Sequence, residues 1–249
     1  MGRFLTIAAA VLGMAACQPA SVDVAETTDG PSQPFKVFQS NFDQRPSYYP
    51  PHGPDLARKA TTFENGVAIW KIDPGFITGD YDVRNGTERA EMGQKVNKSA
   101  YVRQSFRVRA DATTRAPERL LIAQVKPDGP TAHSPAIAVY MTNGGNAKCI
   151  DYSGGGQDQR IIDTRPKGVN MLDGRWHTVV MEFHMSNTNG FCRVTIDGRV
   201  IVERSGHDSD PNDGFGMVMR IGPYRDKVPY SHTLYYDDWT VEQFRTNPF

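Results

Sequence analysis

The sequence predicts an all-β domain, a two-sheet β-sandwich of the jelly-roll, concanavalin A-like kind, and three observations carry that expectation. Amphipathic runs with a 3.6-residue period are nearly absent, so helix is a minor component. Short stretches in which apolar and polar residues alternate recur along most of the chain, each closed by turn residues. No repeat period links them, which argues against propellers and solenoids.

The alternation places strands at Ala100–Arg109, Arg119–Lys126 and Ala136–Met141. In Thr178–Met185 the residues Val179, Met181, Phe183 and Met185 share one face, and Thr178, Glu182 and His184 the other. Phe191–Ile196 and Arg199–Glu203 flank Asp197-Gly198, a favoured two-residue hairpin turn. Gly216–Ile221 and Thr233–Gln243 complete the set, with turns expected at Asn85-Gly86, Asn143-Gly144-Gly145 and Asp173-Gly174.

Residues 1–16 read as an export signal: one charge, Arg3, precedes an apolar run, Phe4–Leu12, that is too short for a permanent membrane helix. Leu12-Gly13-Met14-Ala15-Ala16-Cys17 resembles a bacterial lipobox, with Met14 where Leu is usual, and makes Cys17 the expected acylation site. The alternative is an ordinary secretory signal cut near Ala15 or Ala16. Residues 17–34 have the composition of a disordered tether, and 35–249 form one domain. The protein is therefore expected outside the cytoplasm, as a monomer held to a bacterial membrane only by its lipid and facing the periplasm or cell surface.

The 28 basic residues equal the 28 acidic ones, which excludes the polycationic character of a nucleic-acid binder. Setting Cys17 aside, Cys149 and Cys192 remain as an even pair in an oxidising compartment, so a disulfide is expected, with two buried free thiols as the alternative. The histidines show no zinc-ligand spacing. No cofactor is required on this reading; a structural calcium held by Asp43 and Asp238 is compatible with it.

Four segments place polar side chains on one strand face. Arg89 and Glu91 flank Ala90; Gln124 and Lys126 flank Val125; Arg103, Arg107 and Arg109 oppose Val102, Phe106 and Val108; Arg220, Gly222 and Tyr224 alternate with Met219 and Ile221. A groove built from these groups would suit an acidic polymer, because guanidinium forks pair with carboxylates and sulfates. Taken singly, each pair is equally an ordinary exposed strand face.

The order Arg-x-Glu (Arg89–Glu91), Gln-x-basic (Gln124–Lys126), Arg-x-Gly-x-Tyr-Arg (Arg220–Arg225) and Tyr235-Tyr236-Asp237-Asp238-Trp239 resembles the heparin lyase I and glucuronan lyase group of polysaccharide lyases. Jelly-roll alginate lyases show a related order. The resemblance implies β-elimination on a uronic-acid polysaccharide, which needs donors on the sugar carboxylate, a base for the C5 proton and an acid for the leaving oxygen. It assigns Gln124 and Arg89 to the carboxylate, Tyr224 to the acid and also as a candidate base, and Arg220, Arg225 and Glu91 to binding the polymer. Where the pattern has Gln-x-His this sequence has Lys126, which either serves as base with a lowered pKa or binds anions. In the latter case the base is Tyr224 or a loop histidine, for which His133 is the candidate; otherwise His133 is a solvated loop residue. Two other readings are a lipid-anchored glycan-binding protein without chemistry and a retaining glycosidase. The second of these lacks a Glu-x-Asp-x-x-Glu strand and ranks last.

Overall fold

The computed structural model describes residues 33–48, 59–76, 79–115, 119–128, 134–153, 160–163, 168–211 and 215–249. All of them lie in one compact unit, Pro31–Phe249. The expected export signal, most of the tether, Cys17 and His133 fall outside the described residues.

The elements run β1 (Lys36–Ser40), β2 (Thr61–Glu64), β3 (Val67–Ile72), a short helix α1 (Asp80–Asn85), β4 (Thr87–Arg89), β5 (Met92–Val96), β6 (Tyr101–Ala110), β7 (Leu120–Pro127), β8 (Ile137–Tyr140), β9 (Asn146–Asp151), β10 (Arg160–Asp163), β11 (His177–His184), β12 (Gly190–Ile196), β13 (Arg199–His207), β14 (Met217–Asp226) and β15 (His232–Phe244). They make two antiparallel sheets. The first has the order β13-β12-β11-β6-β15-β3-β2, with β1 also on β15; the second is β10-β9-β8-β7-β14-β4, with β5 also on β14. This is the predicted sandwich. Each expected strand is present, and at the hairpin between β12 and β13 both Asp197 (φ 51) and Gly198 (φ 74) take the positive φ that a tight turn of this kind requires.

The inward faces supply the core: Val102, Phe106 and Val108 from β6 and Val179, Met181 and Phe183 from β11 meet Ala123, Val125, Met219 and Ile221 from the second sheet. Trp70 and Tyr236, both fully buried, meet edge-on with ring centroids 4.6 Å apart. The Cys149–Cys192 disulfide joins β9 of the second sheet to β12 of the first and closes a loop of 43 residues.

Two polar side chains cross this apolar layer. The Tyr236 hydroxyl donates to the Ile122 carbonyl at 3.0 Å, and Gln104 donates to the Arg220 carbonyl at 3.3 Å. Both acceptors lie at or near bulges, since the pairing register slips between Leu121 and Ala123 on β7 and between Ile221 and Tyr224 on β14. Within the β14 bulge Gly222 has φ 120, and a Cβ there would sit 2.2 Å from the Ala90 carbonyl oxygen. Only glycine fits so close a backbone approach. Pro223, which has no N–H, occupies a bulge position where no ladder bond is lost, and its carbonyl accepts from the Ala90 N–H at 2.9 Å.

Two expectations are corrected. Asn85-Gly86 is the end of α1 rather than a free turn: Gly86 is left-handed (φ 62) and its N–H closes onto Asp82 and Val83. Arg103, Arg107 and Arg109 do share a face, but it is the outer face of the first sheet, away from Gln124 and Arg220. There Arg103 pairs with Glu182, Arg107 with Asp237 and Asp238, and Arg109 stacks on Tyr235 with 4.3 Å between its Cζ and the ring centroid. Periodicity defines a face, not the sheet that bears it. Asp238 pairs with Arg107, and Asp43 accepts from Asn41.

Replacing both Cys149 and Cys192 by serine is expected to cost about 2–4 kcal/mol, because the open chain regains loop entropy. Guanidinium unfolding of the variant and the wild type under oxidising conditions checks this, and coincident midpoints would mean the bridge carries no stability. Gly222→Ala is expected to cost more than about 2 kcal/mol, since the clashing atom belongs to backbone on the neighbouring strand. An unchanged midpoint in the same measurement would show that the strands part without penalty.

Candidate active site

The outer face of the second sheet gathers a cluster of buried ionic groups. Gln124 on β7 pairs with Arg220 on β14, and Glu91, in the break between β4 and β5, faces both. Gln124 Nε2 donates to Glu91 Oε1 at 2.5 Å, while Glu91 Oε2 lies 3.6 Å from Arg220 Nη1 and 3.8 Å from Arg89 Nη1. Arg89 donates through Nε to Asp82 Oδ1 at 2.7 Å, its Nη2 lying 2.5 Å from the same atom, and Thr87 Oγ1 donates to it at 2.8 Å. Asp82 reaches this point because α1 presents it from its first turn. Burial works against the charge of Arg89, but Glu91 and Asp82 outweigh it and hold the guanidinium pKa above its ordinary value.

Tyr224 stands at one end of this floor and Lys126 at the other. The Arg89 guanidinium lies over the Tyr224 ring, 3.9 Å from its centroid, and Arg119 approaches the same ring at 5.1 Å. Lys126 pairs with Val218 in the ladder, two residues from the Gln124–Arg220 pair, so it emerges on the same face as both. Tyr224 and Lys126 are half-buried, whereas Arg89, Glu91, Gln124 and Arg220 are buried. At about 3.3 Å per residue, Tyr224 and Lys126 stand roughly 15 Å apart along the strands. Two long side chains leaning over Gln124 and Arg220 would bracket one sugar ring.

Six of the residues singled out in sequence therefore come together here: Arg89, Glu91, Gln124, Lys126, Arg220 and Tyr224. Arg225 does not join them. It follows Tyr224 on a strand, so it points to the opposite face, where it is fully buried. Its Nε donates to Glu88 Oε2 at 2.8 Å, and its Nη1 donates to the Tyr230 carbonyl at 2.9 Å and to His232 Nδ1 at 2.8 Å. His232 in turn donates from Nε2 to the Arg115 carbonyl at 2.9 Å and is no part of the site. Two residues of this cluster, Asp82 and Arg119, escaped sequence reasoning. Asp82 sits on a helix too short to show a period, and strict alternation along the expected strand Arg119–Lys126 puts Arg119 on the core side with Ala123 and Val125, a parity that the register slip between Leu121 and Ala123 reverses.

A cavity of about 210 Å³ lies elsewhere, lined by Asp173, Arg175, His177, Asp197 and Arg199 among others. His177 spans it, with Nδ1 2.7 Å from Asp197 and Nε2 3.0 Å from Asp173. Hydrogen bonds from Arg175 and His177 outweigh the effect of burial on Asp173 and hold its carboxyl down at about 2. None of the candidate site residues lines this cavity. Its carboxylate–imidazole–carboxylate clip ties the Asp197-Gly198 hairpin to the turn at Asp173.

The sequence model of the polysaccharide lyase family matches residues 62–240, a span that contains the whole cluster. Among solved structures the fold is similar to the endo-β-1,4-glucuronan lyase of the fungus Trichoderma reesei, with a TM-score of 0.57 at 15% identity over 86% of this chain and 93% of that one. It is similar also to alginate lyase Aly36B, with a TM-score of 0.53 at 11% identity over 88% of this chain and 99% of that one. Alginate lyase AlgAT5, from polysaccharide lyase family 7, gives a TM-score of 0.52 at 11% identity over 74% and 82%. No curated protein matches the sequence significantly.

Burial and Arg225 push the pKa of His232 down to about 4 from an ordinary 6.5. Above pH 6.5 the ring is neutral in both the folded and unfolded states; between about 6.5 and 4 only the unfolded state takes the proton. Stability is thus expected to fall by up to about 3 kcal/mol as pH drops through that window, then level off for this group. His184 and His207, also pushed down by burial, act in the same direction. Urea unfolding at stepped pH should show a shallower slope for His232→Asn than for the wild type, and equal slopes would refute the assignment.

Proposed function

The chain belongs to the polysaccharide lyase family, and from that premise we propose that it cleaves a uronic-acid-containing polysaccharide by β-elimination at the face bearing Tyr224. The observation that carries this reading is the assembly, on one face of one sheet, of an amide and two guanidiniums around the buried carboxylate of Glu91, with a phenol at one end and an ammonium at the other. Buried charges are costly, and a fold that keeps several of them on one face is more readily explained by function than by stability.

In the reaction the C5 proton passes to a base, the C5–H electron pair becomes the C4=C5 double bond, and the C4–O pair leaves with the oxygen, which takes a proton. Nothing is oxidised and no water is consumed, so the chemistry calls for no cofactor. Gln124 and Arg220 are the donors for the sugar carboxylate, whose developing enolate charge they stabilise. Arg89 contributes behind them and beneath Tyr224. Tyr224 serves as acid and as base. Lys126, at the far end, binds a uronate carboxylate as a point charge. The solved neighbours that are described as glucuronan and alginate lyases favour an unbranched, non-sulfated polyuronate as the substrate. With this reading go export, acylation at Cys17 and action as a monomer at the membrane surface. A glycan-binding protein without turnover is the second reading, favoured by the single fact that Lys126 stands where the related pattern has histidine.

Incubated in turn with glucuronan, alginate and heparin, the purified protein is expected to raise the ultraviolet absorbance of unsaturated uronate with one of the first two. Tyr224→Phe should lower kcat by at least about 100-fold and leave KM nearly unchanged, since the hydroxyl acts only in the transition state. Binding to a polymer without any rise in absorbance would establish the second reading, and full activity in Tyr224→Phe would remove that residue from the chemistry.

A further inference from the structure

Arg119 has no part in the resemblance that singles out Tyr224, yet the fold delivers it to the same ring. Strands β4 and β7 pair with β14 along its two edges at this level: Tyr224 is opposite Arg89 on one side and Leu121 on the other. Arg119, just before β7, binds the end of β14 twice. Its carbonyl accepts from the Asp226 N–H at 3.3 Å, and its guanidinium pairs with the Asp226 carboxylate. From there its Cζ lies 5.1 Å from the Tyr224 ring centroid, with Arg89 at 3.9 Å. Two guanidiniums thus reach one phenol from opposite edges of its strand.

We propose that Arg119 is a positioning residue which, together with Arg89, fixes the Tyr224 ring and stabilises its phenolate, so that Tyr224 is the base for the C5 proton. The inference rests on the lyase reading for its chemistry. A cation in contact with a phenol favours the ionised form, and two such cations favour it more than one. Among the described residues, the charged groups near the ring include Arg89 from β4, Glu91 beyond it, Asp82 behind Arg89, Arg119 from the start of β7, and Arg220 and Asp226 on β14 itself. The carboxylates hold the two guanidiniums in place. The coupling is also visible from the other partner, because Tyr224 is among the charges that raise the pKa of Arg89. In the resulting cycle the phenolate oxygen takes the C5 proton, the freed pair forms C4=C5, the C4–O pair departs with the leaving oxygen, and the phenol returns the proton to that oxygen. Atoms and charge balance without a co-reactant.

The test has two parts. The ionisation of Tyr224, read without substrate as the ultraviolet tyrosinate signal lost in Tyr224→Phe, is expected to move to higher pH by about one unit in Arg119→Gln and to stay near the wild-type position in Arg119→Lys. On the polymer that is cleaved, the acidic limb of the kcat/KM profile should move up in parallel for Arg119→Gln, with KM little changed. A tyrosinate signal that does not move in Arg119→Gln overturns the proposal. So does an equal loss of activity in both variants with an unshifted pH profile, which marks a packing role only. Because the spectroscopic part needs no substrate, its failure is separable from failure of the lyase reading, which shows as no polymer cleaved by the wild type.

Discussion

The site depends on one constraint of the backbone, the bulge at Gly222-Pro223 in β14. At this level three adjacent strands leave regular pairing together: β7 slips at Ile122, β14 at Gly222-Pro223, and β4 gives way to β5 at Ala90-Glu91. Bulges bend a strand and raise its local twist, so the aligned breaks turn the sheet between Arg220 and Tyr224. The ladder bonds lost there are replaced. Ala90 bonds the Pro223 carbonyl, and the buried Tyr236 hydroxyl takes the Ile122 carbonyl. Burial raises the Tyr236 pKa well above the ordinary phenol value, which favours the protonated hydroxyl that donates to Ile122. The first sheet thus holds the irregularity of the second in place from within the core.

That arrangement explains how so many charges are buried on one face. Glu91 lies in the break between β4 and β5, where the backbone can carry it against Gln124 on one strand and Arg220 on another. A carboxylate with no exposure is tolerated only when its lone pairs are filled. Here an amide donates to one oxygen, two guanidiniums lie 3.6 and 3.8 Å from the other, and Asp82 from α1 balances Arg89. The short helix, marginal in isolation, therefore has an electrostatic task that propensity would not reveal.

Much of this was legible in the sequence, and the remainder was hidden for identifiable reasons. Alternation alone marked β6, β7, β11 and the β12–β13 hairpin, because each has one face in the core and a period of two leaves no freedom about which residues share it. Parity likewise placed Arg89 with Glu91 and Gln124 with Lys126. It failed for Arg225, which abuts Tyr224 in a motif and was grouped with it although neighbours on a strand point apart. It also misled for Arg103, Arg107 and Arg109, because the pattern of one strand carries no information about the sheet it joins. That choice is made by long-range pairing, β6 with β11 and β15. Strands β1 to β3 and β9 to β10 passed unnoticed as short runs without clear alternation.

The lysine at position 126 then bears on which group removes the proton. An imidazole titrates near neutrality and can act as a base without help, whereas an ammonium must be desolvated or crowded by cations before it gives up its proton. Lys126, half-buried like Tyr224, stands at the other end of the floor, beyond Gln124. Tyr224 is differently placed: one ring face meets the Arg89 guanidinium, Arg119 approaches from the other edge, and the carboxylates that hold both arginines lie behind them. Two guanidiniums, the cationic surroundings that favour loss of a proton, stand at the phenol. On the proposed reading the two tasks an imidazole would have combined are divided, with Lys126 anchoring the uronate at one end of the floor and Tyr224 removing the proton at the other.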